Sequence, residues 1–415
     1  MTPLLRLRLG GLMFLQYFMM GVWFVPFGSY MSKGLDFDHV IGFAYGSQGI
    51  ATIVSALAIG TLADRVFPAQ KLLAALFLLS GLTLLALSLE GHGVGAFLTI
   101  TFLHFLFFIP TIPLANSICF HWLPDPAAQF PRIRALGTTG WIVSGLAVGS
   151  IAGAAESRLP LVIGAASGIL VSFYALTLPH TPPRQQESGG GVAAIFGLDV
   201  LRKQADRPFW VLIWATLMIM LPMAFYYAYC NNFLTEAGAA MTVAGRRLEA
   251  TAIQSLGQVS ELLFMLLLPF FLRVFGIRGV FMLGLASWVL RYVLFAAGFD
   301  GTRTTLWMLL SGVLLHGAAN DFIQVAGQVY VDQSFTAEAK ARAQALFTTV
   351  LMGVGAVVGS VIANFIYGAF SSSPLQREWT TIWLIPAGAA LVTLVWFWFS
   401  FHPRRDLAPA MARSE

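Results

Sequence analysis

The sequence predicts an all-α membrane protein, with twelve transmembrane helices in two pseudo-symmetric six-helix halves. Three observations predict it. The 415 residues are 58% hydrophobic and only 10% charged, where a soluble domain carries about 25% charged residues. Apolar stretches of the roughly 20 residues that a bilayer crossing needs recur along the whole chain. The two halves also repeat each other in sequence.

The expected spans cover residues 8–31, 38–63, 69–89, 94–122, 130–155, 158–179, 209–235, 241–271, 277–298, 302–330, 336–368 and 376–402. The first follows Arg6 and Arg8 and is too long for a signal-peptide core, so it reads as a retained helix. Pro110 and Pro113 should bend the fourth span. One long polar interruption opens with HTPPRQQESGGG, a composition that reads as a linker. The expected organisation is an N-terminal half at 1–179, a cytoplasmic linker at 180–207 and a C-terminal half at 208–415.

The repeat is direct. Residues 132–150, RIRALGTTGWIVSGLAVGS, align with 342–360, RAQALFTTVLMGVGAVVGS. Ser47, Gly49 and Arg65-Val66-Phe67 likewise align with Ser255, Gly257 and Arg273-Val274-Phe275. What both halves share is scaffold: Gly145 with Gly149, and Gly355 with Gly359, let neighbouring helices approach closely. What breaks the symmetry points to function, and Arg134 (opposite Gln344) and Glu261 (opposite Ile53) are both charged.

Orientation follows from the basic residues. With both termini inside, Arg6, Arg8, Arg65, Lys71, Arg132, Arg134 and the arginines of the linker fall on the inner side and outnumber the outer Lys33, Arg158, Arg246, Arg247, Arg303 and Arg377. This bias accounts for the net charge of +5. No basic run with interleaved aromatics occurs, so nucleic acid is not an expected partner. Cys119 and Cys230 suit neither a disulfide framework nor a metal site. Walker loop, H-E-x-x-H and nucleophile-elbow patterns are missing, which argues against ATP hydrolysis and other enzymatic chemistry.

Polar groups inside apolar spans mark the candidate pathway, because a charged side chain at the bilayer centre costs about 2.5–3.5 kcal/mol on insertion scales. In GVLLHGAANDFIQVAGQVYVDQ, His316, Asn320, Gln324 and Gln328 recur every four residues, with Asp321 beside them. In span five, Arg134, Thr138 and Trp141 share a face and supply fork donors, a hydroxyl and a stacking plane. Arg134 also reads as an inner-end anchor. In span eight, Thr251, Gln254, Gln258 and Glu261 share a face. Glu261 reads either as a substrate acceptor or proton carrier, or as a structural carboxylate paired with Arg291. Asp321 has the same two readings. Tyr227 lies deeper than an interfacial aromatic belt requires and reads as cavity lining, as do Gln16, Trp23, His104 and Asn116.

GTLADR, at Gly60 to Arg65, resembles the loop signature of the major facilitator superfamily. That resemblance implies a gating role for Gly60, Asp64 and Arg65 and a substrate held near the midplane. Over almost its whole length, at FPRIRALGTTGWI, ALTLPHTPP, SELLFMLLLPFFLRVFGIRGV, SWVLRYVLFAAG and HGAANDF, the chain is similar to the bacterial nucleoside:proton symporter family. The resemblance implies proton-coupled nucleoside import by alternating access across the bacterial inner membrane, by a monomer with both termini cytoplasmic. No cofactor is implied, and the proton gradient is the energy source.

Residue by residue, the family pattern matches at Arg134, Thr138, Gln258, Glu261 and Asp321, with Trp141 at an aromatic position. The substrate-binding set expected is Arg134, Thr138, Trp141, Tyr227, Gln258, Glu261, His316, Asn320, Asp321 and Gln324, with Asp321 and Glu261 coupling protons. Ala224 and Tyr227 stand where the main permeases carry amides, His316 at a tyrosine position and Asn320 at an aromatic one. The departures keep another polyhydroxylated solute, such as a sugar or glycoside, open as the substrate. A transport-silent membrane sensor is the reading from a different class.

Overall fold

The computed structural model describes residues 2–65, 67–182, 196, 198, 206–373 and 376–402. Among them, nine helical segments are long and apolar enough to cross a bilayer. The chain runs through α1 (Pro3–Phe24), α2 (Ile41–Arg65), α3 (Ala69–Leu87), α4 (Val94–Phe108), α5 (Thr111–Trp122), α6 (Pro126–Gly149), α7 (Leu159–Leu176) and α8 (Arg207–Glu236). It continues through α9 (Ala250–Gly298), α10 (Leu306–Leu314), α11 (His316–Ser334), α12 (Ala337–Thr348), α13 (Gly355–Ala369) and α14 (Trp379–Ser400). Every expected span overlaps helix over most of its length, which is consistent with twelve crossings. α9 accounts for two of them, because Gly276 at φ 63° and ψ 176° breaks it, a conformation that a side chain would strain.

The expected eighth span begins at Ala250 and not at residue 241. Met241–Val243 (β1) instead pairs antiparallel with Arg246–Leu248 (β2). Ala244 and Gly245 both have positive φ, at 49° and 77°, the pairing of conformations that a two-residue hairpin turn demands. The fourth span is interrupted as expected: α4 ends at Phe108, Pro110 precedes α5, and the helix resumes at Thr111. Gly60, Asp64 and Arg65 fall on the last turns of α2, with their side chains outside the described residues. Most of the linker at 180–207 also lies outside them.

Two compact units divide the chain, one of Met1–Ser188 with Tyr227–Ser255, the other of Gly189–Tyr226 with Leu256–Glu415. In the first, α1 packs on α6 and α7, and α3 packs on α4 and α7. Thr2 caps α1 by accepting from the Leu5 amide at 3.3 Å, with Pro3 at the first helical position. Its core is aromatic, with Trp23, Phe27, Phe97, Phe105 and Phe108 nearly or fully buried. On α7, Leu170, Phe173 and Leu176 are exposed at a spacing of three and form an apolar surface stripe.

Ser29 donates to the Asn231 side-chain oxygen at 2.8 Å, and the Asn231 amide donates to Thr251 Oγ1 at 3.2 Å and Gln254 Oε1 at 3.1 Å. Gly149 lies where a Cβ would overlap the backbone of Ala252, and the Glu249 amide donates to the Gly149 carbonyl at 2.8 Å. The small residues expected from the repeat thus admit the start of α9.

In the second unit, Trp288, Tyr292, Phe295 and Trp383 form a buried aromatic block. Trp288 Nε1 donates to the Ala319 carbonyl at 2.8 Å, and the Tyr292 hydroxyl donates to the Pro222 carbonyl. A second patch joins Leu268 and Val280 with Ala318, Phe322 and Ala326 of α11.

Candidate functional site

The polar candidates form two clusters, one in each unit. In the first unit, α6 carries Arg134, Thr138 and Trp141, all half-buried, as one helical face requires. The Arg134 guanidinium lies 4.0 Å from the centroid of the Tyr17 ring. This is within cation–π range of the ring. Trp141 and Tyr227 each meet Phe24, at centroid distances of 6.0 and 6.2 Å. Tyr17 and Phe24 went unnoticed in the sequence because aromatic residues are common in every span.

Other first-unit candidates are packed away. Trp23 and His104 are fully buried, with their rings 4.7 Å apart, and His104 Nδ1 contacts Ser80. Gln16 is 1% exposed and donates to Thr111 Oγ1 at 3.3 Å. These residues join helices and do not line open space.

In the second unit the crossing of α9 and α11 assembles the cluster. Ser260 Oγ donates to the Leu314 carbonyl at 2.5 Å and accepts from the Gly317 amide at 3.0 Å. A Cβ at Gly317 would overlap the Ser260 carbonyl oxygen, so only glycine permits this approach. The crossing brings the neighbours of these two residues together. Glu261 Oε2 lies 3.5 Å from His316 Nε2, and the Gln258 side-chain nitrogen lies 3.2 Å from that same atom. His316 is fully buried, while the Glu261 side chain keeps 21% exposure.

The partner of Glu261 is therefore His316. Arg291, the alternative read from the sequence, makes no ion pair with a carboxylate among the described residues; it donates to the Gly312 and Val313 carbonyls. One turn along α11, Gln324 donates to Asn320 Oδ1 at 3.0 Å. Asp321 is 2% exposed, and its Oδ2 has no hydrogen-bond partner among the described residues. It lies close enough to Glu261 for the two carboxyl groups to interact electrostatically. Gln328, the last member of the four-residue stripe, is exposed.

A buried acid whose Oδ2 has no hydrogen-bond partner among the described residues, a carboxylate beside an imidazole, and nine helical segments of membrane-crossing length are parts that a proton-coupled secondary transporter needs. The helical architecture is that of the major facilitator class, and the protein is a transporter and not an enzyme. The chain belongs to the nucleoside H+ symporter family, whose model matches residues 4–406. It is 34% identical to the xanthosine permease of Escherichia coli over 97% of both chains. It is 30% identical to the nucleoside permease NupG of Escherichia coli over 98% of both. The crystal structure of the nucleoside transporter NupG superposes with a TM-score of 0.85 at 28% identity, over 96% of this chain and all of that one. The family and the apolar helices make this a multi-pass inner-membrane protein with a small-molecule substrate and protons as its partners.

Proposed function

We propose that this chain imports nucleosides by proton symport and alternating access, as a monomer with both termini in the cytoplasm. The observation that carries the reading is the buried Asp321 Oδ2, without a hydrogen-bond partner among the described residues, beside the Glu261–His316 pair, in a chain 30% identical to a nucleoside permease. A proton symporter needs an ionisable group inside its spans, and intramembrane carboxyl groups serve that role. Asp321 and Glu261 carry the coupling proton, and no cofactor besides the gradient takes part.

The candidate side chains differ in what they offer a solute. Arg134 and Thr138 offer donors to hydroxyls, Trp141 and Tyr227 offer ring faces, and Gln258, Glu261, His316, Asn320 and Gln324 offer hydrogen bonds. The GTLADR motif, with Gly60, Asp64 and Arg65, supports a gated, alternating-access cycle. The excess of basic residues on one side of the membrane supports the orientation.

Uptake of labelled uridine, adenosine and xanthosine into proteoliposomes, with and without an inward proton gradient, tests the reading. Gradient-driven uptake blocked by nucleosides but not by sugars or free bases is expected. Counterflow of another solute, without nucleoside uptake, overturns the substrate assignment. A polyhydroxylated solute such as a sugar is the second reading, favoured by the Asn320–Gln324 amide pair, whose Asn320 stands at an aromatic position of the family pattern.

A further inference from the structure

Arg291 is the largest unexplained group in the second unit. It is fully buried within a membrane span, and no carboxylate neutralises it among the described residues. A guanidinium in that position needs compensation. It finds part of it at a helix break: α10 stops at Leu314, α11 starts at His316, and the carbonyls of Gly312 and Val313 in the last turn of α10 accept from Arg291 at 2.8 and 3.4 Å, the Val313 carbonyl also accepting from the Leu315 amide. A cation at a helix C-terminus is favourable both as a hydrogen-bond donor and against the helix dipole.

The rest comes from aromatic faces. The Arg291 guanidinium lies 4.1 Å from the Tyr226 ring centroid and 4.8 Å from that of Trp288. Tyr226 also stacks on His316, with centroids 4.9 Å apart and planes 22° from parallel. Gly257 leaves room for both rings, since a Cβ there would lie 3.0 Å from His316 Cβ and 3.3 Å from the Tyr226 hydroxyl.

Arg291 thus reaches His316 by two routes. One runs through the backbone break immediately before His316, the other through the stacked ring of Tyr226. Both constrain the same imidazole, whose Nε2 faces Gln258 and Glu261. We propose that Arg291 and Tyr226 are positioning residues that hold the His316 ring against Glu261 and Gln258 and thereby set the affinity of this cluster for the transported solute. Neither residue touches the solute. The proposal rests on the reading that Gln258, Glu261 and His316 bind it.

The test combines transport kinetics with a measurement that needs no substrate. Arg291→Met is expected to raise the uptake KM about tenfold and leave Vmax within about twofold, in line with a buried cation–π contact. Tyr226→Leu is expected to behave likewise, and Tyr226→Phe to restore most of the affinity. In a His316→Ala background, Arg291→Met is expected to add less than about twofold, because the two act through one ring. Effects that multiply, or an unchanged KM, overturn the proposal. If Arg291→Met does not fold, Arg291→Lys and Tyr226→Leu carry the same comparison.

The second arm is NMR of histidine-labelled protein in detergent, with the His316 ring signal identified by its loss in His316→Gln. Stacking on Tyr226 is expected to shift that signal upfield, and Arg291→Met is expected to move it toward the unstacked value. An unmoved signal overturns the proposal. Because this arm uses no substrate, absence of nucleoside uptake by the unaltered protein would overturn only the transport reading and leave the positioning role to be judged by the ring signal.

Discussion

Glu261 and His316 meet at 3.5 Å, carboxylate Oε2 to imidazole Nε2, because the helices that carry them cross at Ser260 and Gly317. The contact depends on a missing side chain. Gly317→Ala would place a methyl group against the Ser260 carbonyl and drive the helices apart. Overpacking of this kind costs about 1–3 kcal/mol. We expect a lower unfolding temperature in detergent together with a raised uptake KM. Gly257→Ala, where the nearest atom is His316 Cβ at 3.0 Å, should show the same pattern more mildly.

Asp321→Asn removes the ionisable group of the buried carboxyl and keeps its shape. Counterflow of labelled nucleoside should persist, while accumulation against a gradient should disappear. Accumulation by the variant would show that Asp321 is not the coupling group. Glu261→Gln should instead weaken binding, since its carboxylate retains 21% exposure and faces His316.

Asn231 is 2% exposed and holds three hydrogen bonds in the first unit, to Ser29, Thr251 and Gln254. Asn231→Leu would leave those partners buried and unsatisfied, at about 1–3 kcal/mol for each unpaired group. Thermal unfolding followed by tryptophan fluorescence should report the loss. Ser29→Ala, which removes one bond, should cost less.

The loop before α10 carries a pH-dependent device outside the spans. Asp300 accepts from the Arg303 amide at 2.8 Å and from the Thr302 amide and hydroxyl at 2.9 and 2.8 Å. These bonds, led by the Arg303 amide, lower its carboxyl from the ordinary 3.8 to about 2. Since the folded form is the stronger acid, the contribution to loop stability is complete above pH 3.8 and is lost as the pH falls through about 2. The Thr302 and Arg303 amide resonances should titrate together near that lower value, and in Asp300→Asn the transition should vanish.

Much of this was legible in the sequence. Span positions follow from apolar length, because a bilayer leaves the backbone no hydrogen-bond partner outside the helix itself. Arg134, Thr138 and Trp141 share a face as their spacing requires. The stripe on α11 was legible only in part. A period of four overshoots the 3.6-residue turn by about 40° per step, or about 120° over three steps. His316 and Asn320 are buried, Gln324 is half-buried, and Gln328 has rotated out to an exposed position. The start of the eighth span was missed because Met241–Leu248 is short, and its turn lies in two backbone angles that hydrophobicity does not report.

From composition, span length and motifs came a helical membrane carrier and its family, together with a list of polar residues inside apolar spans. Composition, length and repetition are one-dimensional, and so are those conclusions. Which of the buried charges meet was decided by tertiary structure alone. Periodicity assigns residues to faces, but the rotation and separation of two helices depend on what packs at their crossing. Here that is Ser260 against Gly317, which gives Glu261 to His316 and leaves Arg291 to two backbone carbonyls and the face of Tyr226.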